Sequence, residues 1–308
     1  MLAAAGAHEG LFQNLPIQPK TVANLIADDR VAAVTITGSE RAGKAVAEQA
    51  GRYLKKVVLE LGGSDPFIVM SSADLREVIP AAVRARIQNN GQSCIAGKRM
   101  IVHADIYDVF LKQFVIAMKA VKTGDPMNPE TDLGPLSSVA QLDLILGQID
   151  EAKRIGARLV VGGERLEGKG AFLSAGVLVD VPTDSSFKKE EIFGPVAMVF
   201  KAESIDEAIR IANDVPYGLG ATVWTKNPME QERFAQEIEA GMTAFNQILA
   251  STPEAPFGGI KHSGHGRELG SFGLNEFMNA KTLLSSPAPK NQQDFPWIRR
   301  EVRQGSFA

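Results

Sequence analysis

Cys94 is the residue whose type most directly suggests chemistry, because it is the only cysteine among 308 residues. It stands in the stretch NNGQSCIAGKR, residues 89–99, between a helical pattern and an apolar run. With no second cysteine, it has no disulfide partner within the chain. A functional role therefore requires surroundings that convert the thiol to a thiolate, since the thiolate is the nucleophilic form.

Glu60 is the second candidate, because it interrupts the apolar run 57–61 and is followed at once by Gly62 and Gly63. A glutamate is rarely buried unless it is paired or functional. Burial raises the pKa of a carboxyl group, which suits a general base near neutral pH. The alternative is an edge-strand glutamate that faces water. The two glycines favour a functional role, since they allow a ligand to approach the backbone closely.

The turn at Gly38 and Ser39 joins a predicted strand at 31–36 to a predicted helix at 41–55. Backbone N–H groups at the positive end of a helix suit a phosphate. The other interpretation is an ordinary helix N-cap by Ser39. The turn alone favours the cap, because it lacks the full glycine pattern of a dinucleotide-binding loop.

Composition narrows the class of protein. The formal net charge of −3 gives no basic surface that would indicate nucleic acid or an anionic membrane as a partner. No apolar run reaches the length of a membrane span. One cysteine fits a reducing compartment, so we expect a cytoplasmic protein. The four histidines lack metal-ligand spacing, so no metal site is expected.

The alternation of predicted strands and helices indicates an α/β fold with a largely parallel sheet. Glycine-rich residues 256–268 and the mixed acidic and aromatic segment 190–195 are predicted to be loops.

Several stretches taken together resemble the aldehyde dehydrogenase superfamily, in the family's order and over about residues 1–285. They are ITGSERAG at 36–43, LELGGSDP at 59–66, NNGQSC at 89–94, EEIFGP at 190–195, YGL at 217–219 and PFGGIKHSGHGRELG at 256–270. The sequences LELGGSDPF and NNGQSCIAGKR are most similar to those of the bacterial succinate-semialdehyde dehydrogenase branch.

The resemblance implies a nucleophilic mechanism. The Cys94 thiolate would attack the aldehyde carbon to give a thiohemiacetal, and hydride transfer to NAD or NADP would leave a thioester. Glu60 would activate the water that hydrolyses the thioester. The backbone N–H of Cys94 would be one donor of the oxyanion hole. The implied reaction is oxidation of an aldehyde to a carboxylic acid, with succinate semialdehyde as the expected substrate.

The resemblance also implies binding residues. Glu191 would hold the hydroxyls of the nicotinamide ribose, with Phe193 packed beside it. Ser251 and Thr252 would contact the distant carboxylate of the substrate. Gln88 departs from the pattern, because some succinate-semialdehyde enzymes carry arginine there, and this departure weakens the expectation of a carboxylate substrate. The residues implied to bind the cofactor are Gly38, Ser39, Leu61, Glu191 and Phe193.

The implied fold is the aldehyde dehydrogenase fold. Residues 1–62 would form the C-terminal part of an incomplete Rossmann-like cofactor domain, and 63–261 a complete α/β catalytic domain. Residues 262–308 would return to the cofactor domain, with an oligomerisation strand at 281–285 and a polar tail. The full-length form is expected to be a homo-oligomer, either a dimer or a tetramer.

Relative to the family, the chain is expected to begin partway through the cofactor domain. Roughly the first third of a full-length enzyme would then be absent, including an asparagine of the oxyanion hole. The alternative function is therefore a truncated, catalytically impaired fragment that acts at most as a subunit-pairing module.

Overall fold

A computed structural model describes residues 1–182 and 184–284 of the chain. The chain divides into two units, Met1–Phe277 and Met278–Ala308. The first unit contains all of the helices and strands given below. In the second unit the described residues, 278–284, form neither helix nor strand.

The first unit alternates helices and strands along the chain. Its α-helices are α1 (Pro19–Ala27), α2 (Glu40–Arg52), α3 (Leu75–Ile87), α4 (Ala104–Lys119), α5 (Val139–Arg154), α6 (Ile205–Asn213), α7 (Pro228–Glu237) and α8 (Gly270–Glu276). Short 3₁₀ helices lie at Ala3–Ala5, Gln88–Gly91 and Ser186–Lys189.

The strands form three sheets. They are β1 (Ala33–Thr37), β2 (Lys56–Glu60), β3 (Pro66–Val69), β4 (Arg99–His103), β5 (Arg158–Val161), β6 (Gly176–Val179), β7 (Val196–Ala202), β8 (Tyr217–Gly218), β9 (Gly220–Trp224), β10 (Met242–Phe245), β11 (Ile260–Lys261) and β12 (Gly264–His265). The order is β1-β2-β12 in the first sheet, β10-β9-β3-β4-β7-β6-β5 in the second, and β11-β8 in the third.

The seven-stranded sheet is parallel except for β5, which pairs with β6 in antiparallel register. Both of its faces are buried, so β3 is apolar throughout and β4 is apolar at its centre, residues 100–102. Phe114 of α4 packs on the face that carries Phe67. Ile145 of α5 packs on the opposite face, which carries Ile68. The sequence-based expectation of an α/β fold with a largely parallel sheet is confirmed.

The three-stranded sheet positions Glu60. Strand β1 pairs with β2 in parallel, with Thr37 opposite Glu60. Strand β12 pairs with the other edge of β2, with Gly264 opposite Glu60. The sheet thus joins a segment before residue 62 to one after residue 262. The proposed domain limits 1–62, 63–261 and 262–308 remain a prediction.

The predicted oligomerisation strand at 281–285 is not formed in the part that the structure describes, since residues 281–284 adopt no strand conformation. A lone edge segment without a partner strand has nothing to complete its backbone hydrogen bonds. Ser285 and the predicted polar tail lie outside the described residues.

Within residues 1–182 and 184–284, no helix combines the length and apolar character needed to cross a bilayer. Within the same residues, no group of three or more histidine, cysteine, aspartate or glutamate side chains is arranged to hold a metal ion.

Candidate active site

A cleft of about 590 Å³ brings together residues from well separated parts of the chain. The turns that follow β1 and β2, the turn before β4, helix α5 and the segment before β7 all contribute. The cleft is lined by Thr37, Gly38, Ser39, Glu60, Leu61, Gly62, Asn89, Gln92, Ser93, Cys94, Gln141, Leu144, Glu191 and Phe193. Every catalytic and cofactor-binding residue named from the sequence therefore lines one cavity.

Ser39 begins helix α2 and caps it. Its hydroxyl oxygen accepts a hydrogen bond from the Ala42 N–H at 3.3 Å. The cap that was the alternative interpretation is therefore formed. It does not compete with anion binding, since the side chain satisfies one N–H of the first turn and the positive end of the helix still faces the cleft.

A second cavity of about 580 Å³ shares Ser39, Gly62 and Glu191 with the cleft. Arg41 and Lys44, from the first turns of α2, also line it, together with Glu40, whose carboxylate pairs with Lys44. Arg41 beside a helix N-terminus fits the phosphate of a nucleotide, and a phosphate there would compete with Glu40 for Lys44. These residues therefore suit the phosphate-bearing part of a dinucleotide cofactor.

Glu60 ends β2 and is only 3% exposed. Neither of its carboxylate oxygens has a hydrogen-bond partner among the described residues. Burial, and to a lesser extent the nearby Glu268, raise the pKa of Glu60 to about 7. Arg267 and the Gly259 N–H partly oppose this rise, although Gly259 does not reach hydrogen-bonding geometry. Glu60 can therefore accept a proton near neutral pH.

The Cys94 turn follows three consecutive left-handed residues, Asn89, Asn90 and Gly91, with φ of 50°, 57° and 71°. Asparagine tolerates this region better than most residues. Side-chain bonds hold the turn: Asn90 donates to the Pro135 carbonyl at 3.0 Å and accepts from the Gly134 N–H at 2.8 Å. A Cβ atom on Gly91 would lie 2.3 Å from the backbone of Gly194, so glycine is required here.

The thiol of Cys94 is partly buried, and this burial raises its pKa. Lys98 lowers the pKa of Cys94, whereas Asp65 and Glu60 raise it. Burial therefore favours the protonated thiol in the resting protein. The thiol needs a base to remove its proton, and Glu60 lines the same cleft.

Glu191 reaches the nucleophile turn through Lys98. The ammonium group of Lys98 lies 3.2 Å from Glu191 Oε1 and donates to the carbonyls of Ser93 and Cys94 at 2.9 and 2.6 Å. Glu191 also accepts a hydrogen bond from the Gly63 N–H at 3.2 Å. Its carboxylate is thus fixed at the cleft wall.

Two glutamines of α5 hold the segment 190–195 in place. Gln148 donates to the Glu191 carbonyl at 3.1 Å. Gln141 donates to the Phe193 carbonyl at 2.9 Å. Bonds to their backbone carbonyls therefore hold Glu191 and Phe193 at the cleft, in addition to the side-chain contacts of Glu191.

Ser251 and Thr252 are exposed and are not among the residues that line the cleft. Their predicted contact with the carboxylate of a substrate is not formed by the cleft as it stands and remains a prediction. Gln88 is half-buried at the end of α3 and also lies outside the lining.

Reasoning from the sequence missed a group of buried charges beside the cleft. Lys98, Asp65 and Arg86 are each at most 4% exposed. Arg86 donates to the carbonyls of Gly91 and Gly97, one on each side of Cys94. The available signal was the pair Lys98-Arg99 leading directly into the apolar run of β4, since charges next to a buried strand need partners.

Comparisons with known proteins identify the family of the chain. The sequence profile of the aldehyde dehydrogenase family matches residues 1–283. The succinate-semialdehyde dehydrogenase [NADP(+)] of Mycobacterium avium is 52% identical over 283 residues, covering 92% of this chain and 60% of the relative. A second one, from Mycobacterium tuberculosis, is 49% identical over 92% of this chain and 62% of the relative. The chain thus spans about 60% of the length of these relatives.

Solved structures give the same result. Gox0499, studied for cofactor and substrate selection, superposes with a TM-score of 0.89 at 46% identity, over 92% of this chain and 62% of its own. Succinic semialdehyde dehydrogenase from Streptococcus pyogenes, solved with NADP⁺, gives 0.87 at 44% identity, over 90% and 61%. Cys94, the buried Glu60 and the N-terminal end of α2 meet in one cleft, and the fold matches that of these solved structures. Because the family profile covers residues 1–283, this chain belongs to the aldehyde dehydrogenase family.

Proposed function

We propose that the chain oxidises succinate semialdehyde to succinate with NADP, using Cys94 as the nucleophile. The observation that carries the proposal is the shared cleft, in which Cys94, Glu60 and Glu191 meet although they are separated widely in sequence. The 308-residue chain spans about 60% of its relatives, so the activity of the chain by itself is part of the proposal.

The first step is activation of the thiol. Cys94 is protonated at rest because burial raises its pKa, and Glu60, with a pKa raised to about 7, takes the proton. The sulfur then attacks the aldehyde carbon, and the electrons of the C=O bond move to the oxygen. The Cys94 N–H donates to that oxyanion, since among the described residues this N–H has no protein acceptor.

The cofactor is assigned to the side of the cleft that carries Ser39 and Glu191. Ser39, Arg41 and Lys44 would hold its phosphates, and Glu191 the ribose hydroxyls. When bound, NADP supplies the hydride acceptor for the oxidation. NADP is preferred to NAD because the relatives from M. avium and M. tuberculosis are named for NADP(+).

The last step is hydrolysis of the thioester on Cys94. Glu60 first releases to solvent the proton that it took from Cys94. It then removes a proton from the attacking water, which adds to the acyl carbon, and the sulfur leaves as the thiolate. The same carboxylate therefore serves both halves of the reaction. Because Glu60 is buried and its carboxylate has no hydrogen-bond partner among the described residues, its pKa is high enough for it to accept a proton in both steps.

Succinate semialdehyde is the proposed substrate because the relatives named above act on it by name. Ser251 and Thr252 are the proposed contacts for its carboxylate. The proposal places the enzyme in the cytoplasm, where the Cys94 thiol stays reduced. It also assigns the enzyme a homo-oligomeric state, dimer or tetramer, which light scattering can measure.

The test follows NADPH formation with succinate semialdehyde and with butyraldehyde, which has the same chain length but no carboxylate. We expect formation that depends on Cys94, is faster with succinate semialdehyde, and disappears in Cys94→Ala. Equal rates in Cys94→Ala and the unchanged chain would refute the proposal. Folded protein with no NADPH formation at all would favour the second candidate, a subunit-pairing fragment, which the 60% coverage of the relatives supports.

A further inference from the structure

Lys98 is a charged residue that the proposed mechanism does not use, and it is completely buried beside the cleft. Its ammonium group has three donors and meets three acceptors: the carbonyls of Ser93 and Cys94, and Glu191 Oε1. All three lie within 3.2 Å. A buried ammonium is stable only with such complete pairing.

The bond to Ser93 fixes the orientation of one particular peptide group. The carbonyl of Ser93 and the N–H of Cys94 belong to the same planar unit, and in a trans peptide they point in opposite directions. Because the carbonyl is held by Lys98 at 2.9 Å, the Cys94 N–H points away from Lys98. Rotating this peptide would break the Lys98 bond and turn the N–H toward the buried ammonium.

We propose that Lys98 is a positioning residue that locks the Ser93–Cys94 peptide with its N–H aimed at the oxyanion of the reacting carbonyl. The second bond, to the Cys94 carbonyl, secures the next peptide in the same way. A single side chain thus fixes both peptides that flank the nucleophile. The turn has one hydrogen bond of its own at the Ser93 carbonyl, from the Ala96 N–H at 3.1 Å, and Lys98 adds a charged donor to the same oxygen.

Charges around Lys98 explain why it remains an ammonium group. Burial lowers its pKa, while Glu191 and Asp65 raise it and Arg86 lowers it further. Asp65 is itself buried, and its Oδ1 accepts from the Gly220 N–H at 3.2 Å. Cys94 in turn faces Lys98, Asp65 and Glu60. The positioning role of Lys98 therefore depends on its hydrogen bonds to the two carbonyls and on the Asp65 and Glu191 carboxylates, which balance its charge.

This inference rests on the proposed role of Cys94 as nucleophile, but its test needs neither NADP nor an aldehyde. Two probes react with the single cysteine. The sulfur is alkylated by iodoacetamide with loss of iodide, and this reaction forms no oxyanion. With p-nitrophenyl acetate the sulfur adds to the ester carbon, negative charge develops on its oxygen, and collapse expels p-nitrophenolate to leave an acetyl thioester. Both reactions need the thiolate, so the ratio of acylation to alkylation rates at one pH isolates the oxyanion contribution.

Lys98→Met is expected to lower the acylation rate about tenfold more than the alkylation rate, because the N–H remains but is no longer held. Removing Lys98 alone leaves Asp65 unbalanced and can prevent folding. The second comparison therefore sets the double variant Asp65→Asn/Lys98→Met against Asp65→Asn, where no buried aspartate charge remains. Lys201→Met, at an exposed surface lysine, is the matched control and should leave the ratio unchanged.

Two results would overturn the proposal. One is a ratio within twofold of the unchanged chain in folded Lys98→Met. The other is the same ratio in the double variant and in Asp65→Asn. If the variants show the expected ratios of acylation to alkylation rates at Cys94 but the unchanged chain forms no NADPH, the Lys98 proposal stands and the proposed function is refuted.

Discussion

The carboxylate of Glu191 occupies the space that a side chain at position 62 would need. A Cβ atom on Gly62 would lie 2.2 Å from Glu191 Oε2. The backbone of Gly62 lies outside the left-handed region, so the requirement for glycine is steric. Gly62 is the first of the two glycines that follow Glu60. Its lack of a side chain leaves room for the carboxylate of Glu191, which is proposed to bind the ribose.

Gly62→Ala should therefore displace Glu191 without unfolding the protein, because the clash is with the end of a side chain that can move. We expect the KM for NADP to rise about tenfold, as for loss of a hydrogen bond to a charged group. Alkylation of Cys94 should be unchanged. Gly147→Ala, at an open position on helix α5, is the control and should slightly raise the melting temperature.

Glu60→Gln should slow both halves of the proposed reaction, because Glu60 is the proposed base in each. Hydrolysis of the acyl enzyme should slow by about 10²-fold or more, since glutamine cannot accept a proton from water. Rapid mixing with p-nitrophenyl acetate measures acylation as a burst of p-nitrophenolate and hydrolysis as the slower steady rate that follows. An unchanged burst rate would contradict the role of Glu60 in thiol activation, and an unchanged steady rate would contradict its role in hydrolysis.

Glu60 should also make stability depend on pH. Its pKa is raised from 4.5 to about 7 in the folded state, so between these values the folded chain holds a proton that the unfolded chain has lost. Stability contributed by this group is therefore full below pH 4.5 and decreases as the pH rises through 7. Glu60→Gln should stabilise the protein at pH 8 by about 2 kcal/mol, less than the full shift implies because the cleft admits water.

The measurement is urea unfolding of both forms at pH 5 and pH 8. The advantage of Glu60→Gln should shrink at pH 5, where Glu60 of the folded chain is still protonated and is therefore uncharged, as glutamine is. An advantage that is equal at the two pH values would contradict the assignment of a raised pKa to Glu60.

Arg99→Lys tests the hydrogen bonds of the buried arginine at the start of β4. Arg99 is buried and donates to the carbonyls of Ser64, Ile211 and Ala212 at 2.7 to 2.8 Å. A lysine cannot reproduce this planar arrangement of donors, so we expect a loss of about 3 kcal/mol in the free energy of unfolding. The exposed Arg76→Lys is the control, and an equal, small effect of both changes would refute the prediction.

The sequence was sufficient to predict the helices and strands that have strong local patterns. Strand β2 with its terminal glutamate follows from an apolar run that stops at two glycines. The helix after Ser39 follows from its cap and its periodicity. The motifs around Cys94 and Glu60 identify the family because their order along the chain is preserved.

Pairings between distant residues could not be predicted in this way. Nothing local relates Asp65 to Lys98, or Lys98 to Glu191, since the side chains meet only after β3, β4 and the segment before β7 have packed together. The pKa of Cys94 could not be predicted for the same reason. A motif indicates a nucleophile, but the thiol's protonation depends on burial and on the sum of Lys98, Asp65 and Glu60 around it.

The sequence by itself determined that the chain is an α/β protein of the aldehyde dehydrogenase family with one thiol and one carboxylate marked for chemistry. Residue types, spacing and motif order carry that information, because they reflect local propensities and chemical identity. Only the tertiary structure decided that the resting thiol is protonated, that Glu60 is buried without a partner, and that Lys98 holds the peptide of the nucleophile. These properties depend on desolvation and on distances between residues far apart in the chain, and both are set only when the elements pack.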